Sequence, residues 1–222
     1  MPTPLAHYKP REIEQLNAET ITHYDENAHA FWKGTKDHDV SQNIDALLRH
    51  IESAPPLDIL DLGCGPGRDL LAFKALGHRV VGLDGSAAFV KMATARANPD
   101  APRRVDVEVW HQDFLKLALP PSRFDGLFAN ASLFHVATQE LPRVLRDLHG
   151  TLKPSGVLFS SNPRGPDVEG MQGDRYGAYL TLPTWRAYLT EAGFEELEYY
   201  FRPAGKPLAE QRWLATVWRK LG

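Results

Sequence analysis

A single cysteine, Cys64, stands in 222 residues, so no internal disulfide can form and a reducing compartment is expected. No stretch approaches the roughly 18 apolar residues that a membrane-crossing helix requires. The first residues, Met1-Pro2-Thr3-Pro4-Leu5-Ala6-His7, lack the apolar core of a signal peptide. The expected location is the cytoplasm, with no membrane partner. Concentrated positive charge is missing too: the formal net charge is −3, and lysine and arginine are scattered along the chain. Nucleic-acid binders carry a basic patch or stripe, so this argues against a nucleic-acid partner but not against a small basic or zwitterionic substrate. No metal site emerges, because His38-Asp39 and His111-x-Asp113 are too short and isolated and one cysteine cannot build a thiolate set. A nucleophilic serine is unsupported, since Gly85-Ser86-Ala87 lacks the G-x-S-x-G elbow. Cys64 itself reads as a small buried residue.

What is present is an ordinary globular composition, 43% hydrophobic and 24% charged, able to form a core without staples. The length suits one α/β domain over residues 1–222. Three prolines and no pattern mark residues 1–10 as a flexible or loosely docked arm. From Arg11 to Trp32, Ile13, Leu16, Ile21 and Tyr24 recur at near-helical spacing. Ser41 is placed to cap a second helix with Ile44, Leu47, Leu48 and Ile51 on one face, ended by Pro55-Pro56. Residues 11–53 are therefore read as an N-terminal helical lid over a Rossmann-like core at 54–222.

In that core, strand-like runs at Leu57–Leu62, Val80–Leu83, Val105–Trp110, Phe124–Ala129 and Val157–Ser160 alternate with helical stretches near 67–76, 86–97 and 138–152. Such alternation predicts βαβ units and a parallel sheet with helices on both faces. The tail differs. A helix near 183–192 ends at Gly193, and 194–201 and 212–219 read as two successive strands. Five βα units and an antiparallel hairpin make the seven-stranded sheet of class I S-adenosylmethionine (SAM) methyltransferases.

The strongest local signal is Leu60-Asp61-Leu62-Gly63-Cys64-Gly65-Pro66-Gly67-Arg68. A buried strand runs into a loop with glycine at three alternate positions, where the backbone can approach a ligand closely. Ligands in such sheets sit at the carboxyl ends of the strands. A dinucleotide fingerprint would be G-x-G-x-x-G, but Arg68 occupies its third glycine position. The acidic Asp61 before the glycines suits the cationic amino-acid end of SAM better than a pyrophosphate; the alternative is that Asp61 merely caps the loop. Asp84 ends the second strand, where a carboxylate can accept ribose hydroxyls, with Gly85 and Ser86 beside it. Its alternative is capping of the following helix. Gln112, Asp113 and Phe114 follow the third strand, placed for an adenine amino group and ring. The fourth strand ends in Asn130-Ala131-Ser132-Leu133-Phe134-His135, making Asn130, Ser132 and His135 candidates for contact with cofactor or methyl acceptor. After the fifth come Asn162-Pro163-Arg164-Gly165 and a Gly-rich loop with Arg175, Tyr176 and Tyr179. Arg164 could grip a carboxylate in bidentate fashion, or be a solvated loop residue. The segment from Tyr24 to Asn43, including Phe31, Trp32, His38 and Asp39, is rich enough in aromatic and polar groups to cover a ligand.

Over about residues 24 to 220 the chain resembles the C-terminal methyltransferase domain of ovothiol synthases (5-histidylcysteine sulfoxide synthases). The strings Phe31-Trp32-Lys33-Gly34-Thr35-Lys36-Asp37-His38-Asp39-Val40-Ser41-Gln42-Asn43, Val109-Trp110-His111-Gln112-Asp113-Phe114, Asn130-Ala131-Ser132-Leu133-Phe134-His135 and Ser160-Ser161-Asn162-Pro163-Arg164-Gly165 carry that resemblance beyond the general glycine loop. It implies SAM-dependent N-methylation of a 5-substituted histidine ring, 5-thiohistidine to ovothiol A or the 5-selenohistidine counterpart. The iron-dependent synthase region that precedes this domain in those enzymes has no match in the sequence. On this reading Asp39, Asn130 and Tyr176 are the pocket polar groups, Arg164 holds the substrate carboxylate, and Tyr24, Phe31, Trp32, His38, Asn43 and Tyr179 complete the substrate side. Methyl transfer to another small molecule or to a protein histidine, and a non-catalytic SAM-binding role, are the competing readings. Oligomeric state is left open.

Overall fold

The computed structural model describes residues 3–100 and 106–222. Seven strands form one sheet in the order β3-β2-β1-β4-β5-β9-β8, and a separate two-stranded hairpin pairs β6 with β7. The strands are β1 (Asp58–Leu62), β2 (Arg79–Asp84), β3 (Glu108–His111), β4 (Phe124–Asn130), β5 (Leu152–Pro163), β6 (Val168–Gln172), β7 (Arg175–Tyr179), β8 (Phe194–Arg202) and β9 (Trp213–Lys220). The first five run parallel, whereas β9 runs antiparallel to both β5 and β8. The helices are α1 (Pro10–Thr35), α2 (Ser41–Leu48), α3 (Arg68–Ala75), α4 (Ala87–Ala97), α5 (Leu141–Thr151) and α6 (Leu182–Glu191).

Strand periodicity explains how this sheet gains two cores. Leu60 and Leu62 point to one face with Leu127, Val144, Leu148, Trp185 and Trp218, under α5 and α6. Ile59 points to the other with Leu47, Phe73, Phe128, Phe159 and Val217, under α2 and α3. On that second face the Phe128 and Phe159 rings stack at 5.0 Å and Phe73 meets Phe128 edge-on at 5.1 Å. Both faces being covered, the central strands are buried almost throughout, as parallel strands must be.

Three expectations need correction, while the N-terminal arm takes the docked form of its two alternatives. Residues 5–8 are docked: the backbone N–H groups of Leu5, Ala6 and Tyr8 donate to Thr138 Oγ1, Glu169 Oε1 and Gln139 Oε1 at 2.9, 2.6 and 2.8 Å. An arm without hydrophobic period can still be held by side chains distant in sequence. Ser41 is the first residue of α2 rather than its cap, and the Asp39 carboxylate accepts the Ser41 N–H at 2.9 Å. The Gly-rich loop after β5 is the β6–β7 hairpin, turned at Gly173 with φ of +61°. Its strands are short and glycine-containing, which hid their period. The expected helix over 138–152 begins only at Leu141, and β5 follows α5 without a linker. The expected third strand starts at Val105, which lies outside the described residues; β3 itself starts at Glu108.

Candidate functional site

A cavity of about 680 Å³ opens at the carboxyl ends of β1, β2, β3 and β4, roofed by α1 and the segment that follows it. Its floor is the glycine loop. Gly63, Gly65 and Gly67 all have positive φ, at +74°, +53° and +92°. At Gly63 the need for glycine is doubled, because a Cβ there would lie 2.4 Å from Ser132 Cβ. At Gly65 the nearest atom to such a Cβ is 3.8 Å away, so the loop backbone faces open space on the ligand side. Gly67 packs instead against Ala93 of α4 and does not border the cavity.

Asp84 forms the second wall. One carboxylate oxygen accepts the Gly65 N–H at 2.8 Å and the other the Ser86 N–H at 2.9 Å. Burial pushes its pKa up to about 6, and these two N–H groups oppose the shift. Each oxygen keeps a lone pair for a ligand hydroxyl. Asp113, Gln112 and Phe114 follow round the rim. Asp113 also caps the short 3-10 turn after β3, accepting from Leu115 N–H at 2.7 Å. Opposite, Ser86 is held by α1: its hydroxyl donates to Asp25 at 2.6 Å, and the same Asp25 oxygen accepts the Ala88 N–H at 2.9 Å.

Asp61 behaves differently from expectation. Its side chain shares the Ile59 face of β1, is almost fully buried and does not border the cavity. Burial pushes its carboxyl well up, nearby Asp69 adds to that, and the Leu70 N–H opposes it; Oδ2 has no hydrogen-bond partner. The cavity carboxylate beside the glycine loop is Asp69, in the first turn of α3. Arg68 grips it through two contacts at 2.6 and 2.9 Å and also donates to the Thr35 carbonyl at 3.0 Å.

From Asp69 a line of side chains runs along the cavity wall and behind it. Asn130 Nδ2 donates to Asp69 at 3.0 Å, Asn43 Nδ2 donates to Asn130 Oδ1 at 3.0 Å, and Arg202 donates to Asn43 Oδ1 at 3.0 Å. Both amides are oriented by this chain, since a guanidinium only donates and a carboxylate only accepts. Asn43 thus lies behind Asn130 and outside the cavity wall. Arg202 also donates to the Asp39 carbonyl at 3.2 Å, so guanidinium and carboxylate share one corner. Asp39 is exposed, and its pKa is lowered first by the Ser41 N–H and further by Arg202.

Tyr24, Phe31, Trp32, His38 and Asp39 border the cavity, whereas Arg164, Tyr176 and Tyr179 do not. Arg164 donates to the Leu208 carbonyl at 2.8 Å and lies over the Phe201 ring. Tyr176 is buried with its hydroxyl on Glu169, and Tyr179 packs toward Phe134. In their place the cavity takes Arg175 from β7, Arg202 and Pro203 from the end of β8, and Trp213 from the start of β9. Sequence reasoning named Arg175 without a role and missed Arg202, Pro203 and Trp213, because they come from hairpin ends, whose position depends on pairing between distant segments. Asp69 could have been found, being an acidic residue in the first turn of the helix that the glycine loop opens.

The set fits SAM: a backbone cradle at Gly63 and Gly65, a carboxylate at the end of β2, and a polar rim at Gln112–Phe114. Among the described residues no helix is long and apolar enough to cross a membrane. Residues 59–156 match the family described as "Methyltransferase domain". Among curated proteins, a trans-aconitate 2-methyltransferase of Paracidovorax citrulli is 36% identical over 53% of this chain and 43% of its own length. The chain spans about half the length of such relatives. A 2-phytyl-1,4-naphtoquinone methyltransferase of Thermosynechococcus vestitus is 31% identical over 64% of this chain and 73% of its own length. The fold matches that of a Burkholderia thailandensis 1,6-didemethyltoxoflavin-N1-methyltransferase solved with bound 1,6-didemethyltoxoflavin and S-adenosylhomocysteine. That match has a TM-score of 0.78 at 22% identity and covers 100% of this chain and 94% of the other.

Proposed function

Because this chain belongs to the SAM-dependent methyltransferase family, we propose that it methylates a ring nitrogen of a small, zwitterionic histidine derivative in the cytoplasm. 5-Thiohistidine or 5-selenohistidine is the intended substrate. SAM, the donor of this family, supplies a methyl group on a sulfonium that leaves as a neutral thioether. Asp84 would accept the ribose hydroxyls, the backbone of Gly63 and Gly65 would lie along the amino-acid end, and Gln112, Asp113 and Phe114 would meet the adenine. Asp69, rather than Asp61, would face the ammonium group.

The observation that carries the substrate class is the corner formed by Arg202 and Asp39. A guanidinium whose hydrogen bonds go to neutral oxygens, beside an exposed carboxylate, matches the carboxylate and ammonium of an amino acid. Arg202 takes the role expected of Arg164. Aromatic walls from Trp32, Phe134 and Trp213 suit a flat ring. The protein's work is then alignment of nitrogen, methyl and sulfur, with Asn130 held in one orientation by Asn43 and Asp69.

Incubation of the enzyme and SAM with a panel of 5-thiohistidine, 5-selenohistidine, histidine and trans-aconitate, read by mass spectrometry, tests this. A mass gain of one methyl on a 5-substituted histidine, with histidine poorly used, is expected. Turnover of trans-aconitate alone would replace this reading with a second one, favoured by the pair Arg175 and Arg202 and by the names of the relatives: a polycarboxylate methyl acceptor.

A further inference from the structure

His135 and Tyr24 meet at the cavity wall, and the tautomer of the histidine follows from its neighbours. Nδ1 lies 2.6 Å from the Tyr176 carbonyl oxygen, which only accepts, so Nδ1 carries the ring proton. Burial keeps the ring neutral, pushing its pKa down to about 4, and Arg175 on β7 and His23 on α1 add to that. Nε2 is therefore bare. The Tyr24 hydroxyl lies 2.8 Å from Nε2 and must donate to it. A phenol has one proton, and this one is committed. Tyr24 retains only acceptor capacity, part of it met by Arg175 at 3.2 Å. Tyr24, His135 and Arg175 all border the cavity.

We propose that His135 is a positioning residue that makes the Tyr24 oxygen a fixed hydrogen-bond acceptor, and that this oxygen takes the N–H of the substrate ring. The ring's identity rests on the proposed function above; the polarity of the Tyr24–His135 pair does not. A neutral imidazole has one N–H and one bare nitrogen, which exchange places readily. A wall that can only accept holds the N–H on its side and leaves the lone pair on the other nitrogen. That lone pair forms the new bond to the methyl carbon as the carbon–sulfur pair returns to sulfur. The N–H proton stays on the product ring and passes to water after release. A relay in which His135 takes that proton through Tyr24 is disfavoured, because its imidazolium would sit buried beside Arg175 and His23.

Nitrogen-15 NMR of the histidine-labelled protein at neutral pH reads the polarity directly. A His135 ring protonated on Nδ1 and bare on Nε2 is expected; an Nε2–H ring or an imidazolium would overturn the proposal. Turnover of 5-thiohistidine reads the consequence. Tyr24→Phe and His135→Leu should each lower kcat about tenfold with S-adenosylhomocysteine affinity unchanged. His135→Gln, whose carbonyl can accept from the phenol, should recover most of the loss. Full kcat in Tyr24→Phe, or an acid limb of the kcat–pH profile that His135→Gln removes, would sink the idea. A wild-type protein inert toward 5-thiohistidine overturns the substrate reading alone. The NMR result, with imidazole binding beside S-adenosylhomocysteine and its loss in Tyr24→Phe, then decides the pair.

Discussion

Along the β1–β2 side of the cavity a ligand meets mainly backbone: glycines with positive φ, N–H groups, and one carboxylate fixed by two of them. Along the β7–β8–β9 side it meets long side chains carried on hairpin ends: Arg175, Arg202 and Trp213. The first surface is specified by a local rule, since strand, glycines and helix follow one another within a dozen residues. The second is assembled from the ends of three strands, β7, β8 and β9, which only the pairing of the hairpins brings to one wall. A backbone surface tolerates few substitutions but reads any ligand with the same skeleton; a side-chain surface can be retuned one residue at a time. On the proposed assignment, donor and methyl acceptor would be recognised by different materials in one cavity.

The largest test of that contrast is Gly63→Ala. The added methyl meets Ser132 Cβ at 2.4 Å in a left-handed backbone, so the cradle itself must shift. SAM affinity should fall by more than about 100-fold, or about 2.7 kcal/mol, beyond the net contribution of about 0.5–1.5 kcal/mol from a single hydrogen bond. Calorimetry giving wild-type affinity would mean that the loop is not the cradle. Arg202→Ala comes next and acts on the other surface. Loss of a charge-assisted hydrogen bond of about 1.5–3 kcal/mol should raise KM for the methyl acceptor roughly 10- to 150-fold. SAM affinity should change little, and equal losses for both ligands would erase the division.

The Asp84 carboxyl supplies a smaller effect with a defined sign. Ribose hydroxyls bind the ionised form, and this group is protonated below a pKa of about 6. SAM affinity should therefore rise as pH climbs through that value and level off above it, by about tenfold between about pH 5 and about pH 7. A flat titration, or the same slope in Asp84→Asn, would move the linkage elsewhere. Smallest of all is Cys64→Ala. The thiol is buried with its pKa raised by burial and by Asp61, and its weak contact is to the Gly65 carbonyl at 3.6 Å. Turnover should stay within a few-fold and be unchanged by EDTA; collapse in either experiment would reveal chemistry that the cavity geometry does not call for.

The same contrast explains what the sequence disclosed. Leu57–Leu62, the alternate glycines and Asp84 announce the sheet and the donor side, because period and loop chemistry are local. Asp61 misled for a physical reason. Strand alternation puts it on the Ile59 face, under α3, while Asp69 one turn into that helix borders the cavity. Arg164 and Tyr176 misled because a guanidinium or phenol near a strand end is informative only once its rotamer and neighbours are fixed, and here those neighbours are the Leu208 carbonyl and Glu169. Arg202 and Trp213 were invisible for the complementary reason: they are partners across the β8–β9 ladder, and nothing in either segment alone points at the cavity.

The α1 helix is about 39 Å long at 1.5 Å per residue, and besides the Tyr24 contacts it is pinned at three further points along that length. Thr20 Oγ1 accepts the Tyr176 N–H at 2.9 Å, Asp25 caps α4, and the Thr35 carbonyl accepts from Arg68 at 3.0 Å. A stiff rod fastened so often does not open by bending. It must let go of several latches together, and two of them, at Asp25 and Thr35, hold the same residues that frame the donor pocket. A ligand beneath such a roof would leave only when those latches part, and the expected outcome in rapid-quench kinetics is a first-turnover burst of methylated product followed by a slower steady rate; a linear time course from the first turnover would count against it.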